Sequence, residues 1–115
     1  MAISEFEIRR CKNELDKFLE VKRPPPYLRD KVDIGYSIKD QSVELFEIRP
    51  TWNNPKEYRE HPFAKSTFIK SKSHWKIFWQ RADLKWHSYE PNPVVRTIEE
   101  FLSVVIEDEH ACFFG

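Results

Sequence analysis

Glycine is scarce in this sequence: of 115 residues, only Gly35 and Gly115 are glycine. Loops that cradle phosphates in nucleotide-binding proteins need several glycines at fixed spacing, because the backbone must approach the phosphates closely. No such loop can be built here. The scarcity of glycine therefore argues against nucleotide-dependent catalysis.

Cysteine is equally scarce, since Cys11 and Cys112 lie far apart and have no paired spacing. We interpret them as free, buried thiols in a reducing compartment rather than as a disulfide framework. The alternative is a zinc site of Cys11, His110 and Cys112. Zinc usually takes four ligands in two close pairs, and only His110 and Cys112 are close, so we predict no metal and no cofactor.

Net charge and long apolar runs are also missing. Nineteen basic and nineteen acidic residues give a net charge of zero, so the overall charge predicts no partner. No apolar run approaches membrane-spanning length, and residues 1–5 lead into a charged segment without the apolar core of a signal peptide. We expect a cytoplasmic protein without a membrane partner, folded as a single domain over residues 1–115.

Aromatic residues are plentiful, and three of the four tryptophans lie in residues 74–89. Side chains alternate there with period two, which is typical of a strand. One face of the strand has Trp75, Ile77 and Trp79; the other has Lys76, Phe78 and Gln80. A second strand over residues 85–89 follows a short connection, so we expect Trp79 to lie opposite Trp86 in the core.

Two helices flank the strands, and each begins with a capping box, in which a hydroxyl and a carboxylate three residues later satisfy free backbone N–H groups. Ser4 and Glu7 begin the first helix; Thr97 and Glu100 begin the second. Both continue with apolar residues at helical spacing. The first helix should end near residues 21–22, because the prolines at 24–26 cannot continue it.

Three more strands are predicted between the first helix and residue 74. They span residues 32–38, 43–49 and 63–70. Leu45 and Phe46 interrupt the alternation of the second, which indicates either burial on both faces or a β-bulge. Residues 50–62 are predicted to form a long loop.

The predicted fold class is α+β: an N-terminal helix, an antiparallel five-strand meander sheet and a C-terminal helix, with both helices on one face of the sheet. Ala64, Ser66 and Phe68 should share the helix-covered face with Trp75 and its neighbours. The last residues are too apolar to remain in water, so Phe113 and Phe114 should be at least half buried.

Three segments resemble a family of small bacterial proteins, domain-of-unknown-function family 3024. They are residues 43–50 (VELFEIRP), 81–91 (RADLKWHSYEP) and 112–115 (CFFG), in that order, together with the three prolines at 24–26. The resemblance implies a bacterial protein of this length. It assigns no activity and no functional residue.

The predicted outer face of the sheet, away from the helices, mixes basic and aromatic side chains. Residues 63–88 contain six cations and one anion, whereas residues 97–109 contain five anions and no cation. Lysines bind phosphates and exposed rings stack on unpaired bases. We therefore predict a binding module for nucleic acid or a protein partner, with a binding site of Lys65, Lys76, Phe78, Lys85, His87 and Tyr89. The alternative is a solvated face whose lysines keep the sheet soluble.

An enzymatic function is the runner-up interpretation. Asp33 and Glu47, on a hairpin, resemble the carboxylate pair that holds Mg²⁺ in nucleases, although Arg49 stands where such enzymes have a lysine. Alternatively, Arg49, Arg81 and His87 would converge as a hydrolytic cluster at one end of the sheet. His87 would then act as a general base that Asp83 or Glu90 orients.

Overall fold

A computed structural model describes residues 4–108 and residue 113. The order of elements is α1 (Glu5–Lys22), β1 (Asp33–Lys39), β2 (Ser42–Thr51), β3 (Asn54–Ile69), β4 (His74–Gln80), β5 (Trp86–Ser88), β6 (Val94–Val95) and α2 (Ile98–Glu107). Strands β1 to β5 form an antiparallel meander, and the two-residue β6 pairs with β4 beside β5. The predicted α+β fold is confirmed, with β6 as an additional strand.

Both helices begin at the predicted capping boxes. The Ser4 side chain accepts a hydrogen bond from the Glu7 N–H at 3.2 Å, and the Thr97 hydroxyl accepts one from the Glu100 N–H at 3.2 Å. Helix α1 ends at Lys22, before the prolines. These caps satisfy N–H groups that have no partner inside the helix, so they determine where each helix starts.

The core lies between the helices and one face of the sheet. It includes Cys11, Leu15 and Phe18 of α1, Phe101, Leu102 and Val105 of α2, and Val43, Leu45, Ala64, Trp75 and Ile77 of the sheet. The predicted face of β3 and β4 is therefore confirmed. Ser66 is fully buried on this face, and its hydroxyl donates a hydrogen bond to the Lys76 carbonyl oxygen at 3.0 Å.

The predicted loop over residues 50–62 is wrong. Strand β3 begins at Asn54, so β2 and β3 form a long hairpin whose tip carries Trp52, with 96% of its surface exposed. Strand β4 pairs only with residues 64–69, which leaves the distal part of β3 as an edge strand. An edge strand tolerates proline, because on its open side there is no neighbouring strand to which an N–H would donate. This explains the presence of Pro55 and Pro62 in β3.

The interrupted alternation at Leu45 and Phe46 has a structural counterpart in β3. Leu45 pairs with Ala64 but Phe46 pairs with Pro62, so Phe63 is the extra residue of a bulge. Phe46 is 8% exposed although it lies on the face opposite the core cluster. Strand β2 is thus buried on both faces at this point. The Phe46 ring lies against Gly35, where a Cβ atom would be 2.8 Å from Cε1, so glycine is the residue that fits without a shift of the ring.

The expected pairing of Trp79 with Trp86 is also wrong. Trp79 pairs with His87, and Gln80 pairs with Trp86. The connection spans five residues, 81–85, with Leu84 in the left-handed conformation (φ 62°). Because side chains alternate along a strand, a change of one residue in register moves every β5 side chain to the other face.

The end of the chain docks on the body at Phe113. Its side chain is 6% exposed, its ring centroid lies 4.9 Å from that of Tyr89, and its N–H donates a hydrogen bond to the Asp108 carboxylate at 3.0 Å. The prediction for Phe113 is confirmed. Phe114, His110 and Cys112 lie outside the described residues. In the described part of the chain, neither helix has the length and apolarity needed to cross a bilayer.

Candidate functional site

The outer face of the sheet, which neither helix covers, carries most of the predicted β3 and β4 residues. Lys65 pairs with Phe78, and Thr67 pairs with Lys76. These residues alternate with the buried Ala64, Ser66, Trp75 and Ile77. Their side chains therefore point away from the helices, as expected.

A cation between two aromatic rings is the main feature of this face. The Lys65 ammonium lies 5.2 Å from the Phe78 ring centroid and 4.8 Å from the Trp86 ring centroid. Both distances are within the range of cation–π attraction, which holds the ammonium over the rings. We call Lys65, Lys76, Phe78 and Trp86 the aromatic-basic patch.

Trp86 is the residue that sequence reasoning missed. It reaches the outer face because the five-residue connection shifts the register of β5. The Asp83 carboxylate accepts the Lys85 N–H at 2.9 Å inside this connection, and Asp83 is therefore a turn residue rather than part of a strand. An aspartate that accepts the N–H two residues later is typical of a turn. Asp83 is therefore the sequence signal from which a connection of five residues could have been predicted.

Two residues of the predicted binding site lie elsewhere. His87 is on the helix side of the sheet, beside Trp79, and Tyr89 is only 3% exposed in the core cluster. The N–H of Tyr89 donates to the Ile77 carbonyl oxygen at 2.9 Å, and its ring packs on Phe113. The prediction that His87 and Tyr89 lie on the outer face is therefore wrong. The cause is the same one-residue change in register that moves Trp86 from the core to the outer face. Lys85 is exposed in the connection, next to the aromatic-basic patch.

The opposite half of the outer face has a different character. Glu44 lies across from Lys65 on β2, and Glu60 lies across from Ile48. Phe46 and Pro62 fill the space between them. Among the described residues, the cations of the outer face thus concentrate on β3, β4 and the start of β5, with Lys39 at the end of β1 as a further one.

The proposed nuclease pair is not assembled. Asp33 pairs with Ile48, so the carboxylates of Asp33 and Glu47 point to opposite faces of the hairpin. Arg23 Nε and Nη2 each donate to Asp33 at 2.8 Å, and Arg49 contacts Glu47 at 3.0 Å. The hydrogen bonds from Arg23 lower the pKa of Asp33. These carboxylates serve separate ion pairs, and the prediction that they share a Mg²⁺ ion is wrong.

The predicted hydrolytic cluster is partly assembled. His87 Nε2 lies 2.9 Å from an Asp83 oxygen, and a cleft of about 390 Å³ brings His87 together with Arg81, Tyr89 and Glu90. The hydrogen bond from the Lys85 backbone, and then that from His87, lower the pKa of Asp83. Arg49 does not join the cluster, because it lies on β2 opposite Arg59 and contacts Glu47. The cleft has an oriented imidazole. No serine, threonine or cysteine of the described chain hydrogen-bonds to it.

Comparison with known protein families identifies a family for this chain. Residues 3–115 match the model of a family described as a domain of unknown function, DUF3024. This confirms the resemblance seen in the sequence motifs. No curated protein and no solved structure matches the chain.

Proposed function

The chain belongs to the DUF3024 family, and we propose that this member binds single-stranded nucleic acid through the aromatic-basic patch. The observation that carries the proposal is the position of the Lys65 ammonium between the Phe78 and Trp86 rings, on a face without a helix. Proteins that bind single strands combine cations, which follow the phosphates, with rings on which bases stack. The aromatic-basic patch has both within one short stretch of sheet.

The charge of the patch and of the adjacent Lys85 also supports this partner. Lys65, Lys76 and Lys85 form no ion pair with another described residue, so their charge is available to phosphates. A protein that neutralises phosphates releases condensed counterions, and its affinity then falls as salt rises. The affinity for a protein partner would not fall as steeply with rising salt unless that partner were as acidic as a nucleic acid.

Single strands should bind more tightly than duplexes. Phe78 and Trp86 are partly exposed on the outer face. An unpaired base that stacks on one of these rings would take the place of the Lys65 ammonium, which is then free to turn to a phosphate. A duplex keeps its bases stacked on each other and offers only its backbone to such a surface. We therefore expect the preference for single strands to come from the rings and the salt dependence to come from the lysines.

The test is fluorescence anisotropy with labelled oligonucleotides across a salt series. Three phosphate contacts predict a slope of log affinity against log salt near −2, at about 0.7 per phosphate. The variant Lys65→Glu/Lys76→Glu/Lys85→Glu should lose binding. Its matched control is Lys12→Glu/Lys31→Glu/Lys56→Glu, which makes the same charge change at exposed positions away from the patch.

Two results would refute the proposal: absence of binding at low salt, or equal loss of affinity in the two triple variants. A third result would assign the patch to a protein partner. In that case the chain binds a protein instead of an oligonucleotide, the first triple variant loses this binding, and the control variant keeps it. Circular dichroism and a melting curve establish that both variants are folded.

A cytoplasmic location forms part of this proposal. Cys11 is a free and buried thiol, as predicted. Unpaired thiols are typical of reducing compartments, where nucleic acid is also present.

A further inference from the structure

A second cleft lies at the start of β4, where the β3–β4 turn, β6 and the beginning of α2 meet. Its volume is about 630 Å³, and Lys72, His74, Arg96 and Glu100 are among the residues that line it. We call it the β4-start cleft. It is separate from the cleft beside His87, because the two lie at opposite ends of β4.

The charge of the β4-start cleft favours an anion. Lys72 and Arg96 form no ion pair with another described residue. Glu100 is the one acidic residue among the described residues that line the cleft, and its Oε1 accepts a hydrogen bond from the Thr97 hydroxyl at 3.2 Å. Two cations thus face one carboxylate that the capping box already engages.

His74 provides an independent indication of a ligand. Its Nε2 atom is buried and has no hydrogen-bond partner among the described residues. A buried polar atom without a partner is destabilising, and native structures rarely keep one unless a water, an ion or a ligand completes it. His74 also lines the β4-start cleft, so this nitrogen, which is closed to solvent in the present ring orientation, would donate to an oxyanion there once the ring turns toward the cleft.

We infer that the β4-start cleft binds a phosphate group. Phosphate oxygens accept hydrogen bonds and attract cations, and arginine, lysine and a donor imidazole together match that chemistry. The Ser73 hydroxyl, which also lines the cleft, adds one more donor. Among biological anions, phosphate suits a site with several donors and two positive charges.

The position of the cleft suggests the source of the phosphate, a step that rests on the proposed function. His74, Lys76 and Phe78 follow each other at alternate positions of β4 and share the outer face. Phe78 lies four positions after His74, which is about 13 Å at the usual strand rise. A strand whose bases stack on Phe78 and Trp86 would pass Lys76 and place a backbone phosphate in the cleft.

The first arm of the test uses inorganic phosphate alone. Phosphate is titrated into ¹⁵N-labelled protein at fixed pH, and sodium chloride holds the ionic strength constant while the imidazole resonances of His74 are recorded. We expect a saturable shift at His74. Lys72→Gln/Arg96→Gln should raise the half-saturating concentration at least tenfold, and the matched control Arg9→Gln/Lys12→Gln on α1 should not change it. An unmoved His74, or an equal response in the two double variants, would overturn the inference.

The second arm uses a single-stranded oligonucleotide and separates the two proposals. If the cleft takes a fourth backbone phosphate, the salt slope of the unmodified protein should be near −2.8 at about 0.7 per phosphate. Lys72→Gln/Arg96→Gln should then weaken binding and flatten the slope by about 0.7, to near −2. Phosphate binding at His74 without any oligonucleotide binding would refute the proposed function and support the cleft with a free phosphate as ligand. If the protein binds the oligonucleotide, but phosphate does not shift His74 and the double variant does not change the affinity, the inference of a phosphate site in the cleft is overturned. The proposed function is then supported.

Discussion

The docking of Phe113 predicts a large loss of stability from one substitution near the end of the chain. The ring is 6% exposed and packs on the Tyr89 ring at a centroid distance of 4.9 Å. Replacing a buried phenylalanine with alanine lowers the free energy of unfolding by about 3–5 kcal/mol. Loss of the ring pair with Tyr89 accounts for about 0.5–1.5 kcal/mol of this. The segment near a terminus can relax after the change, so we expect Phe113→Ala to cost about 3 kcal/mol, at the lower end.

Urea denaturation followed by tryptophan fluorescence measures this cost directly. In a melting experiment, about 3 kcal/mol should lower the melting temperature by about 12 °C or more in a domain of this size. Phe6→Ala is the matched control, since Phe6 is 75% exposed, and it should change stability by less than about 0.5 kcal/mol. If Phe113→Ala and Phe6→Ala behave alike, Phe113 does not dock on Tyr89 in solution.

Two further predictions concern titratable groups. Arg23 lowers the pKa of Asp33 in the folded state, so the contribution of this ion pair to stability is present above the unfolded pKa of about 4 and is lost as pH falls through the folded pKa. Asp33→Asn should therefore flatten the decline of stability below about pH 4 in urea titrations, and a decline as steep as that of Asp40→Asn would contradict this. Burial raises the pKa of the Cys11 thiol to about 11, so about one thiol in a thousand is ionised at pH 8. In a Cys112→Ser background, a disulfide reagent should label Cys11 only after denaturation, and rapid labelling of the native protein would disprove its burial.

The helices and the central strands were predictable because local chemistry and the core favour the same structure. The capping residues Ser4 and Thr97 begin the helices as expected, and period-two alternation assigns the helix-covered face of β3 and β4. In both cases the signal lies within a few residues. No distant contact is needed to interpret it.

The errors arose where structure depends on turn length and on edge position. The tip of the β2–β3 hairpin has Trp52 and Asn53 rather than a typical glycine turn, and the prolines of β3 are typical of loops unless the strand is known to be an edge. One residue in the β4–β5 connection decided the faces of Trp86 and His87. The candidate site was therefore predicted on the correct strands and with Phe78, but with Tyr89 where the structure has Trp86.

Trp86 offers the most direct test of the aromatic-basic patch, because the chain provides a matched tryptophan outside it. Trp52 is 96% exposed at the tip of the β2–β3 hairpin, whereas Trp86 contacts Lys65 on the outer face. Loss of one stacking ring costs about 1–3 kcal/mol, which corresponds to about a 5- to 150-fold loss of affinity. The measurement is the dissociation constant of one single-stranded oligonucleotide for Trp86→Ala and Trp52→Ala, both first verified as folded by their melting curves. We predict that Trp86→Ala binds at least fivefold more weakly than the unmodified protein while Trp52→Ala binds equally well; equal affinity in Trp86→Ala, or an equal loss in the two variants, would contradict a nucleic-acid site on this face.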